Sequence, residues 1–187
     1  MEWIVVVVRL PTEPSRHRVA VWRELRRAGA VQLGPGSWAL PALAVFAESV
    51  ERVLELARRG EGEVISLAAR GRDEASATGL EATYTEAREA EWAEFLSDCG
   101  KYLAELDKEI ATEKYTLAEL DEEEQSMERL RRWHRELSVR DVFGAPSAEA
   151  ARAKLSECAA RLEDYTDRVF RALNAHPPEE DLPTISP

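Results

Sequence analysis

The chain has 187 residues, 44% of them hydrophobic and 33% charged, with a net charge of −11 at pH 7. That is a globular composition, and so acidic a total excludes indiscriminate binding to phosphate polymers, which would be repelled over a Debye length of about 10 Å. Two cysteines exclude a disulfide framework, and the longest strongly apolar run, Trp3 to Val8, falls far short of the roughly 18 residues that span a bilayer.

Trp3-Ile4-Val5-Val6-Val7-Val8 is a continuous, mostly β-branched run, which predicts a central strand covered on both faces. Glu2 before it and Arg9 with Pro11 after it do not suit a secretory leader, so the chain is expected in the cytoplasm, without a membrane partner. Pro14-Ser15 then opens a helix with Ser15 as its expected N-cap, and Val19, Trp22, Leu25 and Ala28 recur at helical spacing until Gly29. Ala30 to Leu33, Gly34-Pro35-Gly36 and Ser37 to Leu40 read as a hairpin stopped by Pro41.

From Leu43 to Arg59 the residues Val45, Phe46, Val50, Val53, Leu54 and Ala57 trace a second amphipathic helix, ended by Gly60 and Gly62. Glu63 to Ala69 supplies a fourth strand. Strand, helix, hairpin, helix and strand in that order predict a ferredoxin-like βαββαβ sandwich over residues 1–72. The class is therefore α+β.

A polar stretch around Gly71 and Gly79 precedes helical territory from Ala82 to Leu137. Trp92, Phe95, Cys99, Tyr102, Leu106 and Ile110 form a seam at steps of three and four, which Leu117, Leu120, Met127, Leu130, Trp133 and Leu137 continue. Thr116-Leu117-Ala118-Glu119 has the form of a capping box, so a turn is expected near Glu113 to Tyr115, giving an antiparallel helical hairpin. After Gly144-Ala145-Pro146, a last helix from Ser147 to Leu173 would bury Ala151, Leu155, Cys158, Leu162, Tyr165, Val169 and Leu173. Residues 73–173 thus read as an acidic helical bundle, and the Pro-rich stretch 174–187 as a disordered tail.

Charge is unevenly spread. Residues 1–70 carry 10 Lys/Arg against 8 Asp/Glu, a balance of +2, while residues 71–187 carry 15 against 28, a balance of −13. The densest basic group is Arg16, His17, Arg18, Arg23, Arg26 and Arg27 on the first helix, joined by Arg9 at the end of the first strand. With Ser15 at the helix start they suit a backbone phosphate or an oxyanion, since free amides and the positive dipole end lie there. The plain alternative is a solvated helix face with Glu13 and Glu24 as local partners.

Other constellations carry less. The acidic run Asp121-Glu122-Glu123-Glu124 lacks the Glu-x-x-His partners of a carboxylate metal site, and Cys99 and Cys158 stand on apolar seams where a thiol ionises poorly. Phosphate-binding and dinucleotide-binding glycine motifs are absent, so neither an enzyme nor a cofactor is expected. Packing is the expected role of all five tryptophans.

Several segments resemble a known family. Arg9-Leu10-Pro11, Pro14 to Arg23, Leu25 to Leu33 and Trp38-Ala39-Leu40-Pro41 resemble the N-terminal domain of the ChrB family of chromate-resistance proteins. Glu119 to Glu124, Leu130-Arg131-Arg132-Trp133 and Arg140-Asp141-Val142-Phe143-Gly144 extend the resemblance over nearly the whole chain. It implies a chromate-responsive transcriptional regulator of a resistance operon, and the opening segment is distantly similar to the central ferredoxin-like domain of PaaX-type repressors. On that footing the basic helix is expected to contact promoter DNA while the acidic helices mediate a homodimer. A sensor of chromate or another oxyanion, or a dimeric scaffold, that does not touch DNA is the competing expectation.

Overall fold

The computed structural model describes residues 1–175, and in it the β-branched run becomes strand β1 (Trp3–Arg9). Helix α1 (Ser15–Arg27), strands β2 (Val31–Gly34) and β3 (Ser37–Pro41), a 3-10 turn (Ala44–Phe46), helix α2 (Ala47–Arg59) and strand β4 (Glu63–Ala69) follow. Helices α3 (Glu74–Ala111), α4 (Leu117–Arg140) and α5 (Ala148–Ala175) complete the described residues. The chain is α+β, with one antiparallel sheet ordered β2-β3-β1-β4. Two compact units form, Met1–Glu91 with Leu137–Pro146, and Trp92–Glu136 with the described residues from Ser147.

In the first unit β1 lies between β3 and β4, as its composition requires, but its cover is uneven. Side chains alternate across a strand, so Trp3 and Val6 point to opposite faces. Val6 joins the core with Val21, Leu25, Val50 and Val53 of the two helices. On the other face Trp3 meets the rings of Tyr84 at 5.7 Å and Phe143 at 5.8 Å. Past that aromatic group the face opens, because Leu67 and Ile65, paired with Val5 and Val7, are half-exposed. Full cover of the strand on both sides therefore holds at its start and fails toward its end.

The β2–β3 reversal needs its glycine. Gly36 adopts φ +70, and a Cβ there would sit 2.7 Å from the Val8 carbonyl oxygen, closer than atoms tolerate. Its own carbonyl accepts the Val8 N–H at 2.7 Å, tying the turn to β1.

Three expectations about helices are corrected. Ser15 is the first helical residue of α1 rather than its cap; Pro14 holds the N-cap position and no side chain caps the helix. The buried stripe of α1 is Val21, Leu25 and Ala28, while Val19 is 41% and Trp22 49% exposed, so packing does not explain Trp22. Both stripes have regular helical spacing, and the sheet selects one by offering room on that side only. Finally, α3 starts at Glu74 instead of near Ala82, because the Asp73 carboxylate accepts the Ser76 N–H at 2.8 Å and caps the first turn. The Ser76 hydroxyl, which donates to the same carboxylate, and then that N–H hold the Asp73 carboxyl below its ordinary range.

In the second unit the seam of α3 buries Trp92, Phe95, Cys99, Tyr102 and Leu106 as expected. Strict alternation of three and four then reaches Glu109, only 1% exposed, and leaves Ile110 half-buried. On α4 the seam runs through Leu120, Glu123, Met127 and Leu130, with Leu117 exposed and Trp133 half-buried. Periodicity therefore outranks polarity at two positions. Thr116 does cap α4, its hydroxyl accepting the Glu119 N–H at 3.2 Å, but the Glu119 carboxylate turns to Lys114 at 3.0 Å. The break between α3 and α4 falls at residues 112–116, and contacts between the two include Phe95 with Trp133 and the Tyr102 hydroxyl donating to the Glu123 carbonyl at 3.2 Å.

Helix α5 buries Ala151, Cys158, Leu162, Tyr165 and Val169, with Leu155 and Leu173 half-buried. The Cys158 thiol donates to the Cys99 carbonyl at 3.6 Å, and both thiols are free and buried. The neighbouring Cys158 thiol, then burial, pushes the Cys99 thiol above its ordinary range. Of the expected tail, residues 174 and 175 belong to α5, and residues 176–187 lie outside the described residues.

The two seam glutamates differ in their partners. Glu109 has Lys114 at 3.3 Å and Lys108 at 3.8 Å, whereas Glu123, 8% exposed, makes no ion pair among the described residues. Burial first, and then repulsion from Glu105, Glu109, Glu119 and Glu122, lifts the Glu123 carboxyl above its ordinary 4.5. The folded state then holds a proton that the unfolded state releases, so this residue's contribution to stability falls as pH rises from 4.5 through the raised value, and stays low above it. Glu123→Gln is accordingly expected to raise the melting temperature at pH 7 and to change it far less at pH 4. Equal shifts at both pH values in thermal melts would assign the effect to packing alone.

Candidate basic and aromatic surface

Helix α1 forms with arginine, a good helix former, at five of its 13 positions, and its amphipathic stripe fixes it on the sheet. Docking through Val21 and Leu25 turns the opposite side outward, where Ser15, Arg16, Arg23, Arg26 and Arg27 are all exposed. Arg18 is exposed as well, and lies at the edge nearer the sheet.

The eight residues singled out from the sequence do not behave as one group. Arg18 and Arg23 make no ion pair among the described residues, and Glu13 takes none of the arginines there. Arg26 lies over the Trp22 ring, 5.5 Å from its centroid. These three guanidinium groups are open to a ligand. Arg27 is held by Glu24 at 2.7 Å, and Glu24, itself buried, also draws Arg52 to 3.5 Å. Glu24 is the local partner that the sequence suggests, for Arg27, but it is buried and also anchors Arg52. Arg9 makes a loose pair with Glu63 at 3.9 Å, both groups largely exposed, so water screens it and little holds it.

His17 leaves the basic surface. It is half-buried and packs on Gly60, where a Cβ would come within 2.8 Å of its own Cβ. Its ring nitrogen accepts a long hydrogen bond of 3.4 Å from the Arg16 Nε. Ser15 is exposed and stands as the first residue of the helix, behind Pro14 at the cap position.

Two residues missed as functional stand among the open arginines. Val19 and Trp22, one turn apart, form an apolar and aromatic strip beside Arg23 and Arg26. The second regular stripe, Val21-Leu25-Ala28, was the signal in the sequence that could have freed Trp22 from the core. Between α1, the end of β1 and the β2–β3 turn lies a cavity of about 500 Å³ with Arg9 and Arg18 on its border. Among the described residues no group of three His, Cys, Asp or Glu side chains could hold a metal ion, and no helix is long and apolar enough to cross a membrane.

Comparison with known proteins adds two findings. The family model described as "Protein ChrB, N-terminal" matches residues 18–176. Its span takes in Arg18, Arg23, Arg26 and Arg27 and begins after Arg9, Ser15, Arg16 and His17. A protein of Cupriavidus metallidurans (strain ATCC 43123 / DSM 2839 / NBRC 102507 / CH34), named Protein ChrB, is 28% identical over 154 residues. That alignment covers 82% of this chain and 43% of the relative, so the chain spans less than half of that protein's length.

Proposed function

Because the chain belongs to the ChrB N-terminal family, we propose that it is a regulator of a chromate-resistance operon that contacts promoter DNA through the outer face of α1. The observation that carries this reading is the exposure of Arg18, Arg23 and Arg26 without acidic partners among the described residues. Guanidinium groups of that kind release counterions when they meet phosphates, whereas paired ones have already spent their charge. Trp22 and Val19 beside them offer apolar contact to sugars or bases. The acidic balance of residues 71–187 would repel phosphate from the rest of the surface and confine contact to this face.

The same reading includes a ferredoxin-like architecture, supported by the strand order β2-β3-β1-β4, and a helical hairpin of α3 and α4, supported by the contacts of Phe95 and Tyr102. It also takes the protein as a cytoplasmic homodimer without catalytic activity, since a symmetric operator is matched by two copies.

The test is a titration of promoter DNA at several salt concentrations. Binding is expected at low salt, and Arg18→Gln with Arg23→Gln and Arg26→Gln should flatten the slope of log K against log salt by about 2 to 3, with at least about a tenfold loss of affinity. No binding at low salt, or a triple variant that binds like the parent, would remove the DNA role.

A further inference from the structure

The cavity beside α1 is built differently from the open helix face. Its floor is apolar, formed by Val8 of β1, Val21 and Leu25 of α1, and Trp38 of β3. At its border stand Arg9, Arg18 and Gln32. Arg18 is unpaired among the described residues, whereas Arg9 shares the Trp3 face of β1 by alternation and pairs loosely there with Glu63. Trp38, only 7% exposed, closes the floor with its ring.

We propose that this cavity binds a small amphipathic anion, a compact apolar body ending in a carboxylate, with the body on the Val21, Leu25 and Trp38 floor and the carboxylate at Arg18. The volume of about 500 Å³ lies within the range of small-ligand pockets. A bare tetrahedral oxyanion fits the chemistry poorly, because it would surrender water to an apolar floor that returns no hydrogen bonds. A neutral apolar molecule would leave the Arg18 guanidinium idle at the border. A single cation there fixes the orientation of an anion with a single head group. By contrast, the groove of about 660 Å³ between α3 and α4 mixes Lys101, Arg129 and Arg132 with Asp98, Glu105 and Glu136, and so selects no ligand charge.

This inference shares Arg18 with the DNA reading but does not require it, and its test contains no DNA. The full chain labelled with nitrogen-15 is titrated with 4-phenylbutyrate, 4-phenylbutanol, octanoate and sulfate, following the Trp38 indole N–H signal, which Trp38→Phe identifies. Saturable shifts with 4-phenylbutyrate are expected, about tenfold tighter than with the alcohol, since one charge-assisted hydrogen-bonded pair carries the difference. Arg18→Gln should erase most of that preference, while Arg58→Gln, an exposed arginine outside the cavity, should leave it intact. Octanoate binding as well as 4-phenylbutyrate extends the class to aliphatic acids; octanoate failing restricts it to aryl acids, and either result supports the proposal. The proposal is overturned if Trp38 shows no saturable shift up to about 10 mM of either acid, if sulfate alone reproduces the shift, or if Arg18→Gln binds as the parent does.

Discussion

Arg88→Met should remove about 3 kcal/mol of unfolding free energy from the first unit, because it leaves buried polar groups without a donor. Arg88 is 3% exposed and lies on α3. Its Nη1 donates to the Gly29 carbonyl at 2.7 Å, while Nε and Nη2 reach the two Glu91 carboxylate oxygens at 3.0 and 3.1 Å. Its guanidinium also lies 4.6 Å from the Tyr84 ring centroid. One side chain therefore satisfies the turn after α1, a carboxylate and an aromatic face together. Glu91 retains Arg140 at 3.6 Å when Arg88 is lost, which is why the estimate sits at the low end of about 3 to 5 kcal/mol for a broken buried pair. The Arg88→Met, Glu91→Gln double variant should lose less than the sum of the two single changes. Urea denaturation of the three variants measures this, and a loss for Arg88→Met under about 1 kcal/mol would reduce the network to a surface contact.

Trp3→Ala is expected to cost about 3 to 5 kcal/mol, the range for emptying a buried aromatic site. Trp3 is almost wholly buried, edge-on to Tyr84 and stacked against Phe143, whose own ring lies 5.6 Å from that of Tyr84. The Tyr84 hydroxyl donates to the Arg140 carbonyl at 2.9 Å, so the cavity left by Trp3 cannot close by moving Tyr84 without breaking that bond. Trp3→Phe keeps a ring in place and should cost much less. If both variants melt together with the parent, the aromatic group contributes nothing to stability. Both Trp3 and Arg88 touch Tyr84, so the two effects should not add.

How much of this was visible in the sequence differs by element. β1 and β4 have the limits that composition and turn residues suggested, and the hairpin turns on the expected Gly-Pro-Gly segment. The phase of α1 was not visible, since Val19-Trp22 and Val21-Leu25 repeat equally well and only the sheet decides between them. The early start of α3 depends on the Asp73 carboxylate meeting one amide, a local bond that outweighs the glycine at position 79. Buried charges were hidden for the opposite reason: Arg88, Glu109 and Glu123 look like solvent residues until the helix register carries them inward. For the candidate surface, the arginines were legible as a cluster but not their separation into open groups, Arg18, Arg23 and Arg26, and the committed Arg27. That separation depends on Glu24 being pulled inward, which no spacing rule announces.

The seam glutamates also govern how α3 and α4 can be misassembled. Glu109 sits in its buried position with Lys108 at 3.8 Å and Lys114, in the five-residue connection 112–116, at 3.3 Å. Slippage of one helix along the other by a single turn, about 5.4 Å, would draw Lys114 away from one of its two partners, Glu109 on α3 or Glu119 on α4, and leave that carboxylate less compensated. A seam of leucines alone would slide with little penalty; this one is keyed, and the key is an ammonium that meets both carboxylates in one alignment.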